Sequence, residues 1–395
     1  MTERRLLFLI GAVQFINTLD FMMVMPLGPD FAKDLGIPSS QLGVIGGSYV
    51  ASAAVAGIAG AYFLDRFDRR KALAVALAGL VIGTAVGGLA IGMGSMIGAR
   101  VLAGMFGGPA TALSMAIVSD VVPPERRGRA MGAVMGAFAV ASVLGVPAGL
   151  ELARVGSWRT PFFTVAGLGV VIASLSIAML PSLTTHLDRK EPPASLSQVL
   201  RRPTVLLLLA ATVAMTVGTF SMIPNLSAYF QFNLGVPRDS LSTLYLVGGA
   251  CTFVTMRIGG WATDRFGAGM TSFGGALWFC GVLAVGFIHP VEMPVMVLFV
   301  AFMISSSFRM VPLQALSSRV PAPAERARFM SAQSAVQHLA SAFGAMLGPQ
   351  LLTERADHSL EGIDTLAILA VAVTVAVPIL LGLVEQRVRR ERALA

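Results

Sequence analysis

AVALAGLVIGTAVGGLAIGMG, residues Ala74 to Gly94, runs for 21 residues without a charged side chain. A bilayer core of about 30 Å takes about 20 apolar residues of helix to cross. No water satisfies backbone N–H and C=O groups there, so only helices and closed barrels span it. The block lacks the alternation of apolar and polar residues that a barrel strand carries, and it reads as a transmembrane helix. Similar blocks recur along the whole chain, which is 55% hydrophobic and 13% charged, against about 45–50% and about 25% in soluble domains. The fold class is therefore an all-α membrane protein.

Twelve spans are expected, at 6–28, 41–64, 72–93, 96–119, 130–150, 160–181, 204–229, 241–262, 270–289, 293–318, 329–352 and 365–384. The longest polar interruption, Pro181 to Pro203, divides them six and six. The expected organisation is an N-terminal six-helix bundle (1–181), a cytoplasmic linker (182–203) with a short surface helix at Leu196 to Leu200, and a C-terminal six-helix bundle (204–395). An even span count puts both termini on one side. That side holds 21 of the 29 basic residues and the opposite side 5. Since cytoplasmic loops collect Lys and Arg, both termini are expected in the cytoplasm. The net charge of +8 is accounted for by this orientation, and no nucleic-acid partner is expected. Cys251 and Cys280 both fall inside spans, so no structural disulfide is expected.

The halves repeat. Asp65-Arg66-Phe67, in GAYFLDRFDRRK (Gly60 to Lys71), returns as Asp264-Arg265-Phe266 at an offset of 199, and VVPPERRGRAMG (Val121 to Gly132) is echoed by RVPAPAERARFMS (Arg319 to Ser331). The first of these loops resembles the G-x-x-x-D-R-x-G-R-R/K pattern of the major facilitator superfamily, with Ala61 and Asp68 replacing the two glycines. Three further stretches resemble its bacterial twelve-span drug and metabolite:proton antiporter branch. They are Arg100 to Gly104 (RVLAG), Gly145 to Gly149 (GVPAG, its proline displaced by one position) and Gly156 to Phe163 (GSWRTPFF). The resemblance implies two six-helix pseudo-repeats, a cavity lined mainly by spans 1, 4, 7 and 10, and alternating access. Asp65, Arg66, Arg69, Arg70, Asp264 and Arg265 are the expected cytoplasmic gate. Asp65 is read as a latch, and the basic cluster after it is read in part as topogenic.

Charges inside a bilayer are costly, at least about 2.5–3.5 kcal/mol each. Asp20, Arg100, Arg257 and Arg309 lie within the expected spans, and Asp20 is the only acid among them. Loss of solvation favours the protonated form of a carboxyl group. Asp20 is thus a candidate proton carrier, the alternative being a structural carboxylate paired with an arginine. The resemblance implies that Arg100 assists it, the alternative being a structural donor that ties down neighbouring carbonyls. Arg309 reads as an anion contact, a partner of Asp20 or a helix clamp, Arg257 as a structural or gate residue, and His338 as a structural or a functional histidine. The candidate cavity residues are Asn17, Asp20, Tyr49, Asn225, Tyr229, Tyr245, Arg309, Gln314, Gln337 and His338, among many Met and Phe that suit varied amphipathic substrates.

The leading reading is proton-coupled efflux of small amphipathic molecules by a monomer in a bacterial-type inner membrane, with protons, substrate and membrane lipids as its partners. The alternatives are a facilitator or symporter for an organic anion or a sugar, and a lipid translocase on the same scaffold. No HExxH, GxSxG, Walker loop or metal-spaced His/Cys cluster occurs, so neither an enzyme nor a metal or other cofactor is expected.

Overall fold

The computed structural model describes residues 2–184, 201–321 and 326–394, and of some helical residues, Asp65 among them, only the backbone. The expected surface helix at 196–200 and residues 322–325 of the second echo lie outside the described residues.

Among the described residues, eleven helices are long and apolar enough to cross a membrane. The expected twelfth, span 11, is a helix as well (Arg326–Leu351). It falls short of that hydropathy because SAQSAVQHLAS brings Gln333, Gln337 and His338 into its length. The chain forms two compact units. Unit 1 holds span 1 (Glu3–Val24), a short helix (Gly28–Leu35), span 2 (Leu42–Phe63), span 3 (Arg69–Gly88) and span 4 (Met93–Val121). Span 5 (124–155) and span 6 (Arg159–Met179) complete its six spans, and Arg238–Leu246 also belongs to it. Unit 2 holds span 7 (Pro203–Asn233), the remainder of span 8 (Leu241–Phe266), span 9 (Ala268–Ile288) and span 10 (Val295–Arg319), with spans 11 and 12 (Ile363–Leu394).

The repeat in sequence returns as a repeat in packing. Span 3 packs on spans 4 and 6 and span 1 on span 5, while span 9 packs on spans 10 and 12 and span 7 on span 11. Span 4 also meets span 2 at backbone distance. A Cβ on Gly104 would come within 2.2 Å of the Tyr49 carbonyl oxygen, and one on Gly107 within 2.3 Å of the Tyr49 hydroxyl. In unit 2 the counterpart helices meet through side chains, Gly259 facing Val311 at 3.5 Å. Small residues are what allow such close approach of membrane helices.

Spans 5, 7 and 9 each contain a single π-turn, at Ala141–Gly145, Tyr229–Asn233 and Ala284–Ile288. In span 5 the turn runs directly into Pro147, whose missing N–H leaves the regular ladder short of a donor. The GVPAG stretch thereby sets Gly145 on Leu19 of span 1, beside Asp20. The apolar core of unit 1 gathers Leu6, Leu9, Ile10 and Val13 of span 1 against Leu73, Leu77, Leu113 and Ile117. Unit 2 matches it with Leu208, Leu313, Phe329, Val377 and Leu381.

Candidate functional site

Four of the expected site residues converge inside unit 1. Asp20 is fully buried on span 1 and Arg100 is 1% exposed on span 4. The guanidinium grips both carboxylate oxygens, Nη1 donating to Oδ1 at 3.0 Å and Nη2 to Oδ2 at 2.8 Å. The Thr84 hydroxyl of span 3 adds a third donor to Oδ1 at 2.7 Å. Behind the pair, Arg100 lies 4.6 Å from the centre of the Tyr49 ring. The Tyr49 hydroxyl donates to Asn17 Oδ1 at 2.8 Å, and Asn17 donates onward to Thr111 Oγ1 and the Gly107 carbonyl. Spans 1, 2, 3 and 4 are thus joined by one polar chain in an otherwise apolar interior.

The sequence explains each part of it. Arg100 and Gly104 of RVLAG lie four residues apart on one helix face, the arginine holding the carboxylate and the glycine admitting span 2. Thr84 carried a weak signal, as one hydroxyl residue in LVIGTAVGG. Its hydroxyl also lies 2.9 Å from the Leu80 carbonyl, as threonines in apolar helices commonly do. Gly107 was unremarked in the sequence, yet a side chain there would occupy the place of the Tyr49–Asn17 hydrogen bond.

The candidate residues of the second half sit otherwise. Arg309 is fully buried in unit 2, donates to Thr219 at 3.0 Å and to Thr374 at 3.3 Å, and stacks 3.5 Å above the centre of the Phe279 ring. No carboxylate touches it among the described residues. Spans 7, 9, 10 and 12 meet at this one guanidinium. Tyr229 closes a second junction by donating to the Gly286 carbonyl at 2.9 Å, which joins the π-turns of spans 7 and 9. Asn225 is fully buried and spends its amide on the Ser221 carbonyl, leaving Oδ1 without a partner. Gln314, Gln337 and His338 are half-buried and join none of these networks. Tyr245 falls in the stretch of span 8 that packs with unit 1, and Arg257 is exposed over the Phe253 ring. Gln333, absent from the candidates, is buried and ties Thr212 to Ser317.

At the expected gate, Arg69 is buried and pairs with Asp120 at 3.4 Å. Asp68, the residue that replaces the second glycine of the pattern, caps span 3 by accepting from the Arg70 N–H. It also accepts from the Ser182 hydroxyl at 2.7 Å and the Leu183 N–H at 3.1 Å, just after span 6. Burial pulls its carboxyl upward, but these donors and the Lys71 charge outweigh it and hold the group below the usual range. The offset of 199 carries Asp68 onto Gly267, whose φ is +89°. There the carboxylate comes from the other side, since Glu385 of span 12 accepts from the Gly269 N–H at 2.8 Å. Both halves therefore fasten the loop after their second span to the end of their sixth by one carboxylate. Asp264 pairs with Arg319 at 3.0 Å at the exposed surface, and Arg265 leans on Trp261 and Phe266. Arg66 is exposed, Arg70 contributes its backbone N–H to the cap, and the side chain of Asp65 lies outside the described residues.

GSWRTPFF receives a role at the opposite end of unit 1. Trp158 Nε1 and Arg159 Nη1 both donate to Asp34 of the short helix, at 2.8 and 2.7 Å, and hold its carboxyl below the usual range. Asp30 of the same helix is gripped by both Nε and Nη2 of Arg238.

The comparisons with known proteins agree with this architecture. The profile described as Major Facilitator Superfamily matches residues 10–345 and 223–394. An uncharacterised MFS-type transporter of Bacillus subtilis, YbcL, is 27% identical over 53% of this chain and 53% of its own. The chain thus spans about half the length of that relative. A chloramphenicol resistance protein of Streptomyces lividans is 25% identical over 93% of this chain and 94% of its own. A chloramphenicol efflux pump of Mycobacterium tuberculosis is 24% identical over 67% and 66%. Among solved structures, a bacterial homologue of the human lysosomal transporter Spinster in an inward-facing, unoccupied conformation superposes with a TM-score of 0.72 at 15% identity, covering 98% of both chains. The chain belongs to the major facilitator superfamily and is a multi-pass membrane transporter.

Proposed function

We propose that the protein exports small amphipathic molecules across the cytoplasmic membrane in exchange for protons, with both termini in the cytoplasm and Asp20 carrying the proton. One observation carries the reading: a buried carboxylate inside a span, held by a single guanidinium. While Asp20 is ionised, its charge and that of Arg100 compensate each other. A proton arriving on Asp20 cancels one charge and leaves Arg100 buried without its counter-ion. Breaking a buried pair in this way costs about 3–5 kcal/mol. That is enough to shift a two-state equilibrium whose states differ by a few kcal/mol. Arg100 must then find other partners, and the polar chain through Tyr49 and Asn17 ties any such movement to spans 2 and 4. Protonation thereby favours a rearranged unit 1, and release of the proton on the other side restores the pair. This is the coupling that exchange by alternating access requires.

The substrate class rests on the Streptomyces and Mycobacterium relatives and on the Met-rich, Phe-rich sequence of span 1. An anion facilitator built on Arg309 finds less support, because its guanidinium is fully buried against the Phe279 ring and donates to the hydroxyls of Thr219 and Thr374. The test is transport in proteoliposomes with labelled chloramphenicol and a panel of other amphipathic compounds. With Asp20→Asn, exchange of labelled for unlabelled substrate should persist while accumulation driven by a pH gradient disappears. Gradient-driven accumulation that survives Asp20→Asn overturns the assignment.

A further inference from the structure

At the end of unit 1 that carries the N-terminus, spans 1 and 6 leave a groove of about 310 Å³ between them, lined by Arg4, Arg5, Phe8, Leu9, Leu175 and Met179. Its walls are apolar and partly exposed, Phe8 at 80%, Leu175 at 44% and Met179 at 41%. Its rim is two arginines on the first turn of span 1. Neither has an acidic partner among the described residues, and the neighbouring Glu3 is engaged by Arg126 at 3.1 Å. Leu175 and Met179 are one turn apart, as are Arg4 and Phe8, so the groove runs about 6 Å along the helix axes.

We propose that this groove is a binding site for an anionic phospholipid of the cytoplasmic leaflet. The two guanidinium groups take the phosphate, which they match with forked donors, and the apolar walls take the glycerol end of one acyl chain. Basic residues at the end of a span beside an apolar cleft are the arrangement that anionic headgroups recognise. Among the described residues the rim carries only positive charge and the walls only hydrocarbon, so a peptide would find no partners there for its backbone. The leaflet rests on the orientation proposed above, whereas binding itself depends neither on that orientation nor on what the protein transports.

Native mass spectrometry of the purified full chain, titrated with phosphatidylglycerol or with phosphatidylcholine of the same acyl chains, tests the site. Phosphatidylglycerol should occupy one site that phosphatidylcholine does not. Arg4→Gln/Arg5→Gln should weaken it by about thirtyfold, which is about 2 kcal/mol at 1.36 kcal/mol per tenfold. Leu175→Trp should also weaken it, by filling the groove while both arginines remain. Arg387→Gln/Arg390→Gln, an equal loss of charge at the end of span 12, should leave it unchanged. Equal binding of the two lipids overturns the proposal. So does indifference to Leu175→Trp, an equal loss in the span 12 variant, or displacement of the lipid by inorganic phosphate.

Discussion

Removing Arg100 should cost more than any exposed substitution, and removing Asp20 with it should restore most of the loss. In Arg100→Leu the Asp20 carboxylate loses its hydrogen bonds of 3.0 and 2.8 Å and keeps only the Thr84 hydroxyl. At 0% and 1% exposure neither partner has water to replace the other. An uncompensated buried charge of this kind costs about 3–5 kcal/mol. Asp20→Leu/Arg100→Leu leaves no charge behind, and replacement of buried pairs by apolar side chains is often near neutral. The coupling between the two sites should therefore be at least about 2 kcal/mol, within the range measured for residues in contact. The assay is denaturant unfolding of wild type, Asp20→Leu, Arg100→Leu and the double variant in one detergent, read by Trp fluorescence. Arg100→Leu should also lose less stability in acid than at neutral pH, because its unpaired Asp20 can take up a proton. Additive losses in the double variant, or a loss in Arg100→Leu that ignores pH, would refute the compensation argument.

Gly107→Ala brings a Cβ within 2.3 Å of the Tyr49 hydroxyl and 2.7 Å of Asn17 Oδ1; overpacking of this kind costs about 1–3 kcal/mol, and the same unfolding assay should show it while Gly98→Ala, where nothing lies within 4 Å, should not. Asp68→Gly restores the glycine of the family pattern but removes the acceptor of the Leu183 and Arg70 amides, so hydrogen exchange at those two N–H groups should accelerate at least tenfold. Because the Asp68 carboxyl is held below its ordinary value, its stabilisation is fully present above the unfolded carboxylate pKa and is lost only as pH falls through the lower folded one; exchange at Leu183 that accelerates between pH 8 and pH 6 would contradict that placement. Arg309→Met removes a fully buried charge that no carboxylate touches among the described residues, so it should leave the unfolding midpoint level or raise it without changing the apparent substrate affinity; a selective loss of affinity for organic anions would instead favour the facilitator reading.

Much of this was legible in the sequence because bilayer physics writes large signals. Runs such as Ala74 to Gly94 admit one secondary structure, and a duplicated Asp-Arg-Phe at a fixed offset marks duplicated halves. Asp20 and Arg100 stood out because a charge inside a span demands a partner, and the structure makes each the partner of the other. The fine positioning was hidden for equally physical reasons. Thr84, Thr219 and Thr374 are ordinary helix residues until the charge each one contacts is known. The glycines of span 4 resemble the many others, and only the position of Tyr49 separates Gly107 from a neutral packing site. Span 11 fell short in hydropathy because it carries Gln333, Gln337 and His338, and of these Gln333 is buried and spent on Thr212 and Ser317. Asp68 read as a departure from a pattern, and its role depends on residues 114 positions further along the chain.

The most direct measurement is proton flux through the purified protein in liposomes that enclose a pH-sensitive dye. A proton gradient is imposed, then chloramphenicol, lipophilic cations, sugars and organic anions are added in turn, to wild type and to Asp20→Asn. The account predicts substrate-triggered proton movement in the wild type and none in Asp20→Asn. Substrate movement without proton flux, unchanged by Asp20→Asn, would contradict it.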